Sequence, residues 1–100
     1  MARPACRIGV DIDLVHDCQT PVRAQASDDV FVNGIGWSLM THLNTPHIYG
    51  ADCDKVHSAP ISVGSDEVFV NGLGSGRITD NVLGCTIVVT GSDDVYAGPN

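Results

Sequence analysis

The chain has 100 residues and carries 12 acidic against 5 basic side chains, a net charge of −7 at pH 7. With so few basic residues and no cluster of them, the sequence excludes nucleic-acid binding and an electrostatic membrane anchor. The length allows one small domain with a modest core, and no apolar run reaches the roughly 18 residues that a membrane-spanning helix needs.

The composition predicts an all-β fold with little or no helix. Glycine occurs 11 times and proline 5 times, and no window sustains the apolar period of an amphipathic helix. The start of the chain, residues 1–4, lacks the apolar core of a signal peptide. We therefore expect synthesis in a cytoplasm, with any export carried out by another component.

One segment recurs three times along the chain. Residues 27–34, 65–72 and 92–98 read Ser-Asp-Asp-Val-Phe-Val-Asn-Gly, Ser-Asp-Glu-Val-Phe-Val-Asn-Gly and Ser-Asp-Asp-Val-Tyr-Ala-Gly. The Val-Phe-Val run suits a half-buried strand, and the Asn-Gly that follows it favours a tight hairpin turn. The repetition predicts one domain over residues 1–100 built from a single unit used three times. The motif itself indicates architecture rather than chemistry.

Return strands and lead strands are expected between the repeats. Strand-like segments lie at residues 7–8, 21–26, 35–41, 57–63, 73–79 and 85–90, and the N-terminus supplies the first return strand. Trp37 is expected to be a core or interface anchor. Residues 42–55 and 80–84 are expected to be irregular loops. Three hairpin arms from one chain would pack around a common axis, which predicts a small pseudo-threefold cone with its loops at equivalent positions.

The three loops place soft metal ligands at matching positions. Each loop has such a residue five positions after its opening residue (Asp11, His42 or Asp80), and these residues are His16, His47 and Cys85. Three equivalent soft ligands at one end of such an object suit a tetrahedral zinc site. A fourth ligand could come from His57, with His42 as its competitor. A site with three histidines and one cysteine leaves no position for water and would be structural.

The cysteines follow no paired spacing. Cys6, Cys18, Cys53 and Cys85 are too far apart in sequence for a zinc ribbon. Two disulfides are arithmetically possible, but the missing export signal disfavours them. We therefore expect free thiols.

The N-terminal segment provides a resemblance to a known family. Residues 4–9, Pro-Ala-Cys-Arg-Ile-Gly, resemble the Pro-Ala-Ala-Arg-Val-Gly motif that names the PAAR-repeat family. The Val-Phe-Val-Asn-Gly copies, with the Gly-rich segment before Arg77, Ile78 and Asp80, are similar to that family's later repeats, so the resemblance covers essentially the whole chain. This chain departs from the pattern at Cys6, at residues 36–39, where proline and arginine are lost, and at His42, where the family usually has aspartate.

The resemblance implies a non-enzymatic cone that caps the trimeric β-helical spike of a contractile injection machine, in a phage tail or a type VI secretion system. It implies a zinc ion near the point, held by His16, His47, His57 and Cys85, and such a site also accepts iron. The broad end would bind one trimer per copy, and the point would pierce a target-cell outer membrane by transient contact without stable insertion. The protein would be made in a bacterial cytoplasm and then reside at the tail baseplate tip of a virion, or be secreted on the apparatus. With no toxin or adaptor domain expected, the chain resembles phage tail tips more.

Two other classes of function are weighed against the spike tip. An enzyme could use a Cys–His pair such as Cys85 with His57, or a hydrolytic zinc. However, the sequence has no nucleophile motif and no general base near the ligands beyond Asp17, and 100 residues leave little room for a substrate pocket. A generic small β binding module with incidental cysteines and histidines is the other alternative, and failure to bind zinc would favour it.

Overall fold

The structure, a computed structural model, describes residues 2–100, and this range contains ten short strands and no helix. The strands form five antiparallel pairs: β1 (Arg3–Pro4) with β10 (Tyr96–Ala97), β2 (Phe31–Val32) with β3 (Ile35–Gly36), β4 (His47–Tyr49) with β5 (Lys55–His57), β6 (Phe69–Val70) with β7 (Leu73–Gly74), and β8 (Asn81–Val82) with β9 (Thr86–Ile87). The predicted all-β fold is confirmed. In the described range no helix is long and apolar enough to cross a membrane.

The first two copies of the repeat form the predicted hairpins. Asn33 and Asn71 have φ of 55° and 54°, and the glycines after them, Gly34 and Gly72, have φ of 77° and 80°. Two successive residues with positive φ make the turn whose twist matches that of the flanking strands. Asn-Gly supplies this backbone conformation at low cost, because asparagine tolerates it and glycine has no Cβ to clash.

The N-terminus supplies a return strand, as predicted, and this strand pairs with the third copy. Tyr96 in β10 lies opposite Pro4, and Ala97 lies opposite Arg3. The first strand of the chain thus completes the third hairpin, so each of the three repeats has a return strand.

Three backbone segments meet around one axis. The N–H of Cys6 donates to the Gly76 carbonyl at 3.1 Å, that of Ser38 to Cys6 at 2.9 Å, and that of Gly76 to Ser38 at 3.0 Å. This closed triangle of hydrogen bonds relates the repeats by an approximate threefold rotation. At Gly76 a Cβ would lie 2.4 Å from the Ser38 carbonyl oxygen and 2.8 Å from Cys6 Sγ, so the axis has no room for a third side chain.

The core consists of two apolar clusters on this framework. The first contains Ala5, Val32, Trp37, Leu39, Val70 and Ala97, and the second contains Cys6, Ala59, Ile61, Val82 and Val88. Trp37 is 7% exposed and its indole Nε1 donates to the Gly76 carbonyl at 2.9 Å. The prediction that Trp37 is an anchor is therefore confirmed, and it anchors the core.

Several local expectations were wrong. Residues 42–55 are not an irregular loop, because β4 begins at His47 and pairs with β5, and residues 80–84 contain β8. Residues 7–8 form only an isolated bridge, between Arg7 and Trp37. The reason is length: strands of two or three residues are too short to show an alternation of polar and apolar side chains.

Candidate metal centre

Four side chains converge at the loops: His16, His47, His57 and Cys85, whose ligand atoms all lie within 4.8 Å of one another. His57 Nε2 lies 3.0 Å from His16 Nδ1 and 2.9 Å from His47 Nε2. Cys85 Sγ lies 3.2 Å from His16 Nδ1 and 3.3 Å from His47 Nε2. Around a tetrahedral zinc ion, two nitrogens would be about 3.3 Å apart and nitrogen and sulfur about 3.6 Å. These four distances match a tetrahedral site to within a few tenths of an ångström, and the cluster could hold a metal ion.

Short elements place each of these side chains. His47 begins β4 and His57 ends β5, and the two residues are direct cross-strand partners, which puts their side chains on the same face of the hairpin. Cys85 lies in the turn between β8 and β9, where its N–H donates to the Val82 carbonyl at 2.9 Å. His16 bridges to Gln19 across a tight turn.

The predicted equivalence of the loop positions is confirmed by the backbone pairing just before them. The residues three positions before His16, His47 and Cys85 are Asp13, Asn44 and Val82. Each of these forms a bridge to a lead strand: Asp13 pairs with Val88, Asn44 with Arg23 and Val82 with Ile61. One rotation therefore relates all three ligand loops. His57 has no such counterpart and is supplied by the second arm alone.

Hydrogen bonding of His47 fixes which of its nitrogens faces the cluster. Its Nδ1 lies 2.8 Å from the Thr45 carbonyl oxygen, which can only accept, so Nδ1 carries the proton and Nε2 presents a lone pair. The ring nitrogens of His16, His47 and His57 lie within 3.1 Å of one another. Neutral imidazoles cannot all satisfy so close a triangle by hydrogen bonds, because each ring nitrogen either donates or accepts and at least one pair of the three must be alike. Such a donor set fits a cation.

The electrostatics of this cluster also favour a bound cation. Burial raises the pKa of the Cys85 thiol. Burial also lowers the pKa of His57, and the neighbouring His47 and His16 lower it further. The site therefore favours a neutral His57 ring but penalises a Cys85 thiolate, unless a nearby positive charge stabilises the thiolate. A divalent cation supplies that charge.

His42 is not part of the cluster. Its Nδ1 accepts a hydrogen bond from the Leu39 N–H at 3.0 Å. In the other two arms, the Asp11 and Asp80 carboxylates accept the N–H groups four and three residues before them, at 2.7 and 2.8 Å. His42 thus replaces the aspartate that opens the other loops, and its ring nitrogen does the same work as their carboxylates.

A buried polar network lies beneath the ligands and was not predicted from the sequence. Arg23 and Asp13 are fully buried and form an ion pair of 2.8 Å. Asn44 Nδ2 donates to Asp13 Oδ2 at 3.0 Å and lies 3.9 Å from Cys85 Sγ. Burial raises the pKa of Asp13, and its Oδ1 has no hydrogen-bond partner among residues 2–100. This network links the ligand cluster to the core.

Tyr49 is a second residue that the sequence reasoning missed. Its ring stacks on His57 at a centroid distance of 4.1 Å and on His16 at 4.8 Å. The available signal was its position two residues after His47, which puts both side chains on one face of a strand. Tyr49 therefore covers two of the three histidine rings of the cluster.

The expectation of free thiols was wrong for two of the four cysteines. Cys18 and Cys53 form a disulfide, whereas Cys6 and Cys85 are thiols. The two cysteines are 35 residues apart in the sequence, a separation that no local spacing pattern indicates. The bond links the loop after His16 to the turn between β4 and β5.

Comparison of the chain with protein-family models finds no matching family, and a search of curated proteins finds no significant match. The resemblance to the PAAR-repeat family therefore stays a prediction from the sequence. No pocket is found among residues 2–100.

Proposed function

We propose that this protein is a non-enzymatic, membrane-piercing spike tip that caps a trimeric β-helical spike of a contractile injection machine. The observation that carries the proposal is the threefold arrangement of one chain around an axis with one ligand cluster. In each arm the repeat hairpin precedes the Cys6–Ser38–Gly76 triangle and the ligand loop follows it. Hairpins and ligands therefore lie on opposite sides of the triangle, in a molecule whose longest dimension is 39 Å.

The ligand end would form the point of the tip. Zinc bound by His16, His47, His57 and Cys85 would cross-link all three arms, with iron as the alternative metal. Since the binding energy of a structural metal contributes directly to folding, this would stiffen the ligand end beyond what its small apolar cluster provides. A closed four-ligand site has no open position for catalysis, which supports a mechanical role.

The hairpin end offers a surface for a threefold partner. Phe31, Phe69 and Tyr96 occupy the same position in the three repeats and are 59%, 59% and 51% exposed. Exposed aromatic side chains are typical anchors of protein interfaces. Three of them related by an approximate threefold rotation match a partner with exact threefold symmetry, so one copy would cap one trimer.

The proposed location follows from this assembly. The protein would be made in a bacterial cytoplasm and carried at the baseplate tip of a phage tail. Delivery on a type VI secretion apparatus is the alternative. Contact with the target outer membrane would be transient in both cases.

A binding experiment with the cognate trimeric spike tests the partner. Native mass spectrometry should show one copy per trimer. Replacing Phe31, Phe69 and Tyr96 together by serine should abolish the complex, whereas Leu83→Ser, which removes an apolar side chain of similar exposure (59%) from the ligand end, should not. Three copies per trimer, or full binding by the triple variant, would contradict the proposal.

Elemental analysis of the purified protein tests the metal. We expect one zinc or iron per chain. A folded protein without metal would instead favour a generic small β binding module whose cysteines and histidines are incidental.

A further inference from the structure

We propose that the Cys18–Cys53 disulfide is a redox-controlled latch on the metal centre, which blocks metal exchange when oxidised and allows it when reduced. This inference rests on the proposed function, because it requires that the four-residue cluster binds a metal. It concerns the rate at which the ion enters and leaves and adds no ligand to the site.

The position of the disulfide in the chain is the first argument. Cys18 lies two residues after His16, and Cys53 lies in the turn that joins β4 to β5. This hairpin carries His47 and His57. The bond therefore connects the two chain segments that provide all three histidines of the cluster.

Few other contacts hold these two segments together at this end. The Gly50 N–H donates to Asp17 Oδ2 at 2.9 Å, and the Ile48 N–H donates to Gln19 Oε1 at 2.7 Å. Both hydrogen bonds are exposed, so each contributes little net stability. A two-stranded hairpin of three-residue strands is also marginal by itself in water. Without the disulfide, the hairpin would open at a low free-energy cost.

Opening of the hairpin would uncover the ligands. Tyr49 belongs to β4 and stacks on His16 and His57. His47 is 3% exposed, the His16 side chain is 14% exposed, and His57 and Cys85 are half-buried. An ion held by all four residues would leave faster when part of the site moves, and the β4–β5 hairpin carries two of the histidines and the covering Tyr49.

The disulfide itself can be reached from solvent. Cys53 is exposed and Cys18 is half-buried, so a small dithiol can attack Cys53 Sγ. In the first step the reductant's thiolate bonds to Cys53 Sγ, the Cys18–Cys53 bond breaks, and Cys18 leaves as a thiolate that takes up a proton. The reductant's second thiolate then displaces Cys53, which also takes up a proton, and the reductant becomes a cyclic disulfide. Two electrons and two protons pass to the protein.

This arrangement would let the metal ion load in one compartment and be retained in another. In a reducing compartment the ion would exchange through the open hairpin, and in an oxidising one the same ion would be trapped. The free cysteines do not take part: Cys85 is a ligand, and Cys6 is buried beside the axis, where burial raises the pKa of its thiol and keeps it protonated.

The test is the rate of zinc transfer to a chromogenic chelator. The double variant Cys18→Ser/Cys53→Ser, loaded with zinc, should release the metal at least about tenfold faster than the oxidised wild type. Cys6→Ser is the matched control and should release it at the wild-type rate. Serine is used because added free thiols could themselves bind zinc. Equal rates for the double variant and the wild type would overturn the latch.

The wild-type chain offers a second route if the double variant fails to fold. Reduction of the zinc-loaded protein with a neutral dithiol, which is removed by gel filtration before the chelator is added, should accelerate release, and reoxidation should restore slow release; no change on reduction would overturn the proposal. The metal content of the starting protein shows whether a negative result rejects the metal centre or only the latch. Absence of zinc would reject the metal centre itself, whereas one zinc per chain with redox-independent release would reject the latch alone.

Discussion

His42 and His47 show how one residue type takes two roles according to its position in the repeat. His47 is buried in the cluster, with its Nδ1 held by the Thr45 carbonyl. His42 opens the loop and accepts the Leu39 N–H, as Asp11 and Asp80 accept theirs in the other arms. A carboxylate at position 42 would satisfy the same backbone group.

These roles predict different responses to a chelator. His47→Ala should lower the melting temperature by about 10 °C or more, because one lost ligand removes a few kcal/mol of metal-dependent stability from a domain of this size. His42→Asp should melt close to the wild type. Calorimetry with and without chelator measures both. Chelator should bring the wild type down toward His47→Ala, and a chelator-insensitive wild type would count against the assignment.

Three of the four cluster residues, His16, His47 and Cys85, could be predicted from the sequence because the spacing within each repeat survives in the fold, whereas spacing left His57 and His42 as alternatives for the fourth. The network beneath the cluster could not be predicted. Arg23 lies in a segment whose alternation of polar and apolar residues predicts an exposed side chain, yet it is fully buried against Asp13. Position 23 faces the axis, where its equivalents Ile61 and Val88 are apolar. Only the three-dimensional arrangement shows that an arginine there has a partner.

At the scale of the elements, the Asn-Gly hairpins are also connectors between repeats. Asn71 Nδ2 donates to Asp29 Oδ1 at 3.0 Å, and Asn33 Nδ2 donates to Asp94 Oδ1 at 2.8 Å. These hydrogen bonds lower the pKa of both carboxyl groups. Each of these turns is thus tied to the Ser-Asp turn of a neighbouring repeat.

Two substitutions at Asn71 separate the contribution of its side-chain hydrogen bonds from that of its backbone conformation. Asn71→Gly keeps the positive φ but removes the side-chain hydrogen bonds, and we expect a loss of about 1 kcal/mol in the free energy of unfolding. Asn71→Ala also disfavours the left-handed backbone and should cost about 1 kcal/mol more. Urea denaturation compares them. Equal losses would mean that backbone conformation at position 71 contributes nothing.

The hairpins closed by Asn-Gly could be predicted because these two adjacent residues are enough to specify the turn. The β4–β5 hairpin could not. Its turn uses Gly50 at a φ of 96° and Cys53 at a φ of 53°, without an Asn-Gly pair. Cys53 adopts a conformation that is uncommon for a residue with a side chain. The disulfide to Cys18 joins residues 35 positions apart in the sequence, and no local sequence pattern predicts it.

At the scale of the whole molecule, the packing at the axis requires three equivalent positions to differ. Cys6 places its side chain there, and a Cβ at Gly76 would meet Cys6 Sγ, the Ser38 carbonyl oxygen and Ile61 Cδ1. An exact repetition of one residue in all three arms would either crowd the axis or leave a void. The repeats have therefore diverged where they meet.

Gly76→Ala tests this packing. The added methyl would meet the Ser38 carbonyl and Cys6 Sγ, and we expect a loss of about 1–3 kcal/mol in the free energy of unfolding. Gly98→Ala is the matched control, because a Cβ there would meet its nearest neighbour at an ordinary 3.4 Å. Urea denaturation of both variants decides the matter, and equal stabilities would show that the axis can expand freely.

The arms also differ at the ligand cluster, where they contribute one histidine, two histidines and one cysteine. On a partner with exact threefold symmetry, such a cone can be seated in three orientations that the partner's symmetry makes equal in energy. A population of assembled particles would then contain the three orientations in equal numbers. Images averaged with threefold symmetry would superimpose His16, His47 and Cys85 at one position, and only a reconstruction without imposed symmetry would distinguish them.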